Sequence, residues 1–174
     1  MIDNDTICAL ATPQGYGAIA IVRLSGKETF AIVNSIFSKT VSESDSHRAI
    51  YGNVVFQDQL IDEVLVTVFR KGKSYTMEDS AEISCHGSDF IIEKLIRILV
   101  EKGCRIAKEG EFTMRAFMHG RMDLSQAEAV ADLIAADSAG AHRIALNQMR
   151  GGFSKEINKL REELVHFASL IELE

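Results

Sequence analysis

The sequence predicts a mixed α/β fold of the α+β kind over residues 1–118, followed by the first helices of an all-α domain over residues 119–174. Three observations carry that expectation. Short β-branched runs alternate with polar turns through the first part of the chain. Two serine-led helix starts, at Ser25 and Ser88, are set among those runs. From Leu124 onward the strand pattern gives way to apolar residues at helical spacing.

In order along the chain, Ile7 to Thr12 reads as a short strand, and Pro13 to Gly17 as a loop. Ala18 to Leu24 is a second strand by its isoleucine and valine content. Ser25 and Glu28 have capping-box spacing and predict a helix through about Phe37. Ser38 to Ser46 is a polar loop. Tyr51–Phe56 and Ile61–Phe69 read as strands joined by Gln57-Asp58-Gln59, with Val64, Val66 and Val68 alternating in the second. After a polar loop from Lys71 to Asp79, Ala81–His86 returns as a strand. Ser88 caps a helix to about Lys102, which Gly103 stops. Cys104–Ala107 is a short strand. Arg121 falls in a turn between two helices. Ser125 and Glu128 predict another capping box, and Ser138 a helix restart after Asp137. Phe153, Ile157, Leu160, Leu164, Phe167 and Ile171 are spaced 4, 3, 4, 3 and 4 apart. That is a seam on one long helix, which asks for a partner helix. The pattern reads as an incomplete helical domain, so the chain is expected to be a fragment.

Composition narrows the function classes. With 47% apolar residues over 174 positions, the chain suits a soluble globular protein with a real core. The first ten residues lack a basic segment before an apolar one, so no secretory signal is expected. Glu93, Lys94 and Arg97 interrupt the apolar run from Phe90 to Val100, so no membrane span is expected. Cys8, Cys85 and Cys104 lack Cys-x-x-Cys spacing, and an odd count argues against a disulfide framework. Reduced, packed thiols in a cytoplasmic protein are the expectation. Cys85 and His86 are adjacent on a strand and point to opposite faces, so they make a poor nucleophile–base pair. Net charge is −6, which gives no bulk basic surface for holding nucleic acid. Gly15-Tyr16-Gly17 follows a strand but precedes another strand instead of a helix, which excludes a dinucleotide fingerprint. Gly26-Lys27 lacks the following Ser or Thr and the upstream glycine of a P-loop. No GTP site is expected in these residues, and no metal site.

The candidate binding residues are Arg23, Glu82 and Arg121. Arg23 lies near the end of an apolar strand, where a charge needs a partner or an exposed edge. The pattern favours an edge arginine reaching water. Glu82 alternates with Ala81 and Ile83, and an Arg23–Glu82 ion pair is the simplest structural alternative. His86 and His119 are able to transfer protons, but single histidines in turns are usually polar surface. No residue reads as catalytic.

Ordered motifs add to this. They are Asp5-Thr6-Ile7, Thr12-Pro13-Gln14-Gly15-Tyr16-Gly17, Arg23-Leu24-Ser25-Gly26, Ser74 to Asp79 with Glu82 and His86-Gly87-Ser88, Gly110 to Phe117, and Arg121 to Ala129. Together they resemble the MnmE/TrmE family of tRNA-modifying GTPases, over nearly the whole chain. Met77 and Ser88 stand where that family usually has glycine, and Arg121 where it often has lysine.

The resemblance implies an N-terminal domain of the aminomethyltransferase-type folate-binding kind, holding a 5-formyl- or methylene-tetrahydrofolate through Arg23, Glu82 and Arg121. Glu82 suits the donor edge of a pterin, and the arginines suit formyl and glutamyl oxygens. It also implies a homodimer through that domain. The complete protein would add a GTPase domain with GTP, potassium and magnesium, and a C-terminal cysteine. With a flavoprotein partner, MnmG/GidA, it would install an aminomethyl or carboxymethylaminomethyl group at C5 of a tRNA wobble uridine. Rival readings are a dimerisation scaffold in which Arg23 and Glu82 only pair with each other, a free-standing folate-dependent aminomethyltransferase relative, and direct tRNA binding.

Overall fold

The computed structural model describes residues 5–171, apart from the side chains of Phe153 and Ile171. The chain divides into two compact units, Met1–His119 and Gly120–Glu174. In the first, the elements are β1 (Ile7–Leu10), β2 (Gly17–Ser25), α1 (Thr29–Asn34), β3 (Arg48–Phe56), β4 (Gln59–Phe69), β5 (Ser80–Gly87), α2 (Asp89–Glu101), β6 (Arg105–Ile106) and α3 (Glu111–Met118). The strands form one six-stranded sheet in the order β3-β4-β5-β2-β1-β6. Neighbours run antiparallel except β1 and β6, which are parallel.

Strand alternation decides which face is covered. Val64, Val66 and Val68 of β4, Val22 and Leu24 of β2, and Ile83 of β5 are buried. They pack with Phe30 and Val33 of α1 and with Ile92, Leu95, Ile98 and Leu99 of α2 in one core. The opposite face is read through the register. One cross-strand row runs Tyr51–Leu65–Ser84–Ile21, and the next runs Ala49–Thr67–Glu82–Arg23–Ala9. Tyr51 and Leu65 stay 55% and 45% exposed, so the helices of the core leave this face largely open.

Two glycines are required by close approach. A Cβ on Gly87 would meet the backbone of Gly17 on the adjacent β2, where a register shift separates Gly17 from Ile19. Gly26 turns the chain out of β2 with φ 137, and a Cβ there would lie 2.6 Å from Thr6 Cα.

The structure corrects several sequence expectations. Ser25 does not cap α1. It ends β2, buried, with its hydroxyl 2.6 Å from Thr76 Oγ1 and donating to Glu78 Oε2 at 2.8 Å. The N-cap of α1 is Glu28, whose side chain makes no capping bond. The helix closes at Asn34, and Phe37 instead bridges to Val54. Ser88 is the N-cap of α2 by position, without a side-chain bond. Arg23 is not on an edge, because β2 lies between β5 and β1.

In the second unit α4 spans Leu124–Ala135, α5 Ala139–Met149 and α6 Gly152–Ile171. The capping box of α4 is Asp123 with Gln126, two residues before the expected Ser125 and Glu128. Asp123 also accepts from Ser154 Oγ at 2.6 Å, which ties α4 to α6 and favours the earlier start. Ser138 caps α5 as expected. Ala129 and Ala145 are buried where α4 and α5 meet, small side chains allowing close approach. On α6, Ile157, Leu160, Leu164 and Phe167 of the seam are all exposed, whereas Phe153 and Ile171 have side chains outside the described residues. The first four residues of the segment read for a secretory signal also fall outside them. No helix of the described residues is long and apolar enough to cross a membrane.

Gly87→Ala should push β2 from β5 and lower stability by about 1–3 kcal/mol. A urea midpoint lowered at unchanged m-value is the expected reading; an unchanged midpoint would contradict the close approach.

Candidate functional site

Arg23 and Glu82 are direct cross-strand partners on β2 and β5. Arg23 Nε donates to Glu82 Oε1 at 2.9 Å, and an η nitrogen lies 2.8 Å from the same oxygen. The side chains are 30% and 24% exposed, so the pair is reachable from solvent. Tyr75 and Phe112 each place a ring centroid 5.6 Å from the guanidinium carbon. Both rings therefore lie within cation–π distance of the guanidinium. Both contacts to Glu82 converge on one oxygen, so the second carboxylate oxygen is left to accept from a ligand. Phe69, Thr76 and Ser80 complete a recess of about 60 Å³. That is far below the roughly 300 Å³ at which small-molecule pockets begin.

The two rings are themselves positioned. Phe112 belongs to α3, and Tyr75 Oη lies 2.9 Å from Thr113 Oγ1 on the same helix. Arg115 anchors α3, with its side chain only 2% exposed. It bonds Asp5 through both the backbone carbonyl and the carboxylate, Glu78 at 3.3 Å and Glu111 at 3.2 Å. Arg105 of β6 pairs with the same Asp5 and Glu111. Hydrogen bonds from Arg105 lead in holding the Glu111 carboxyl down to about 2, with Arg115 and the Lys108 N–H assisting against the opposing effect of burial. Asp5 is lowered likewise, first by its hydrogen bond from Arg105. Ser25 and Thr76 extend the network to the loop beside Arg23.

Arg121 follows α3 in the turn before α4, is exposed, and belongs to the second unit. The histidines are held differently. Asp62 grips His86 twice, accepting its backbone N–H at 2.8 Å and lying 2.7 Å from Nδ1. His119 Nδ1 is 2.8 Å from the Thr76 carbonyl, so it donates and leaves Nε2 uncommitted. Cys85 faces the core while His86 faces out, and burial leads in raising the Cys85 thiol to about 11. Cys8, Cys85 and Cys104 are free and buried. The described residues hold no cluster of three metal-ligating side chains.

Sequence reasoning missed Tyr75 and Phe112 as the aromatic neighbours of Arg23, and Arg115 as the anchor of the helix that carries Phe112. Aromatic residues in a polar loop and a short helix carry no periodicity that marks them as neighbours.

Comparison with known proteins follows the two units closely. Residues 6–121 match the family described as GTP-binding protein TrmE N-terminus, and residues 124–174 match the MnmE helical domain. A tRNA modification GTPase MnmE from Cytophaga hutchinsonii is 58% identical over 172 residues, covering 98% of this chain and 37% of the relative. The protein of the same description from Flavobacterium johnsoniae is 56% identical over 178 residues, covering 100% and 38%. That from Bacteroides fragilis is 53% identical over 178 residues, covering 99% and 38%. The chain thus spans less than two fifths of the length of these curated relatives.

Arg115→Ala should cost about 3–5 kcal/mol, because it leaves Glu78 without its cation and Asp5 and Glu111 with Arg105 alone. Glu111 is lowered on folding, so its contribution is complete above its ordinary value of 4.5 and is lost as pH falls towards about 2. Urea midpoints measured from pH 5 to pH 2.5 should fall steeply in the parent chain and more shallowly in Glu111→Gln; equal slopes would contradict the pairing.

Proposed function

The chain belongs to the MnmE/TrmE family of tRNA modification GTPases, and we propose that its first unit binds a reduced folate carrying a one-carbon group. The supporting observation is the Arg23–Glu82 pair. It is solvent-reachable, flanked by two aromatic rings at cation–π distance, and converges on a single carboxylate oxygen. The other oxygen of Glu82 suits the amino and ring N–H donors of a pterin, and the free edge of Arg23 suits a formyl or carboxylate oxygen. Arg121 is the third residue that family membership brings to the proposal.

A recess of about 60 Å³ is too small to enclose a pteridine alone. The proposal therefore includes pairing of two chains, which supplies the missing walls. The open sheet face beside Arg23 supports this. Ile19, Tyr51 and Leu65 are exposed there around a shallow recess of about 160 Å³. For the whole protein we propose GTP hydrolysis, with potassium and magnesium at a nucleotide site outside these residues. It would work with a flavoprotein partner to add an aminomethyl-type group at C5 of the wobble uridine of tRNA in the cytoplasm. The folate and flavin would supply the one-carbon and redox chemistry, while Arg23 and Glu82 bind and orient the donor.

A second reading, a scaffold in which Arg23 and Glu82 serve only each other, is favoured by their mutual hydrogen bonds. Calorimetric titration with 5-formyltetrahydrofolate separates the two. Saturable binding that weakens about 10- to 100-fold in Arg23→Ala and Glu82→Gln, with melting temperature nearly unchanged, supports the folate role. No heat from a well-folded dimer leaves the scaffold.

A further inference from the structure

A second and larger cavity lies at the end of the sheet where β2 and β4 finish and β5 begins. It measures about 560 Å³ and is lined by Lys27, Lys71, Gly72, Met77, Glu78, Asp79 and His119. That size is within the range of small-molecule sites. It is walled by the loop of residues 74–80 on the side away from the Arg23 recess, since Met77 and Asp79 line this cavity whereas Thr76 and Ser80 line the other.

Its charges are unevenly committed. Glu78 is taken up by Arg115 and the Ser25 hydroxyl, and Asp79 accepts the backbone N–H of Lys71 at 2.8 Å. Neither lysine ammonium has a carboxylate within salt-bridge distance among the described residues. His119 is oriented by its bond to the Thr76 carbonyl, with Nε2 uncommitted. One wall is strained: Met77 sits at φ 65, in the left-handed region that side chains rarely adopt. The loop around it is closed by Gly72 N–H to the Met77 carbonyl at 3.0 Å and by Ser74 to Glu78, so the methionine is held there.

The geometry points to a binding site for a small polyanion with an uncharged stem. Lys27, Lys71 and His119 meet its oxygens, and the Met77 thioether packs on its stem. Two sources share that chemistry, an oligocarboxylate such as a glutamyl chain and a phosphoryl compound. The glutamyl source rests on the folate reading, as the tail of that ligand; the phosphoryl source does not.

Titration of the chain carrying methyl-labelled methionine with tri-γ-glutamate and, separately, with pyrophosphate tests the assignment. Neither probe contains a pteridine, so failure here and failure of the folate reading are distinguishable. The expected result is a saturable shift of the Met77 methyl and the His119 ring with at least one probe. It should weaken at least about tenfold in the Lys27→Ala/Lys71→Ala double variant. Response to tri-γ-glutamate alone assigns a carboxylate ligand, and response to pyrophosphate alone assigns a phosphoryl ligand. Absence of a saturable shift with both, or equal affinity in the folded double variant, overturns the site.

Discussion

The first unit depends on one buried guanidinium. Arg115 joins the segment before the first strand, the loop before β5 and its own helix through Asp5, Glu78 and Glu111. A cation at 2% exposure is tolerable only because carboxylates and a carbonyl surround it. Arg105 adds a second cation against the third and first of those acids. Three carboxylates and two guanidiniums leave the group close to charge balance, which is the condition for burying it at all. Such a network fixes geometry more than it adds net stability, since its Coulomb attraction is spent on desolvation.

That geometry is what brings α3 against the sheet. The helix is eight residues long and exposes Met114, Met118 and much of Phe117, so apolar burial alone is weak support. Pinned by Arg115, it brings Phe112 within cation–π distance of Arg23 and Thr113 within hydrogen-bond distance of Tyr75, whose ring also neighbours Arg23. Stability and recognition are thus linked through a single helix.

Much of this was readable from residue order alone. The alternation of Val64, Val66 and Val68 fixed which side of β4 faces the core, and the spacing of α6 announced its exposed seam. Arg23 and Glu82 stood out because charges in apolar strands need a reason. What escaped was long-range. The order β3-β4-β5-β2-β1-β6 makes Arg23 internal, and nothing local to its strand says so. Ser25 carries a capping signature yet serves Glu78 from 53 residues away, because the turn at Gly26 delays the helix. In α4 two overlapping capping patterns compete, and Asp123 prevails through its contact with Ser154.

The parallel pairing of β1 with β6 carries a consequence for synthesis. Ile7 and Cys8 meet Arg105 and Ile106, nearly a hundred positions later. A nascent chain emerging from the ribosome therefore has its opening strand made early but its outer neighbour made last. Such non-local closure slows folding and prolongs the time an unpaired edge is presented to other chains. Until Arg105 and Arg115 emerge, Asp5 lacks both of its cations, so a charge made at the start of this unit is neutralised only by residues made near its end.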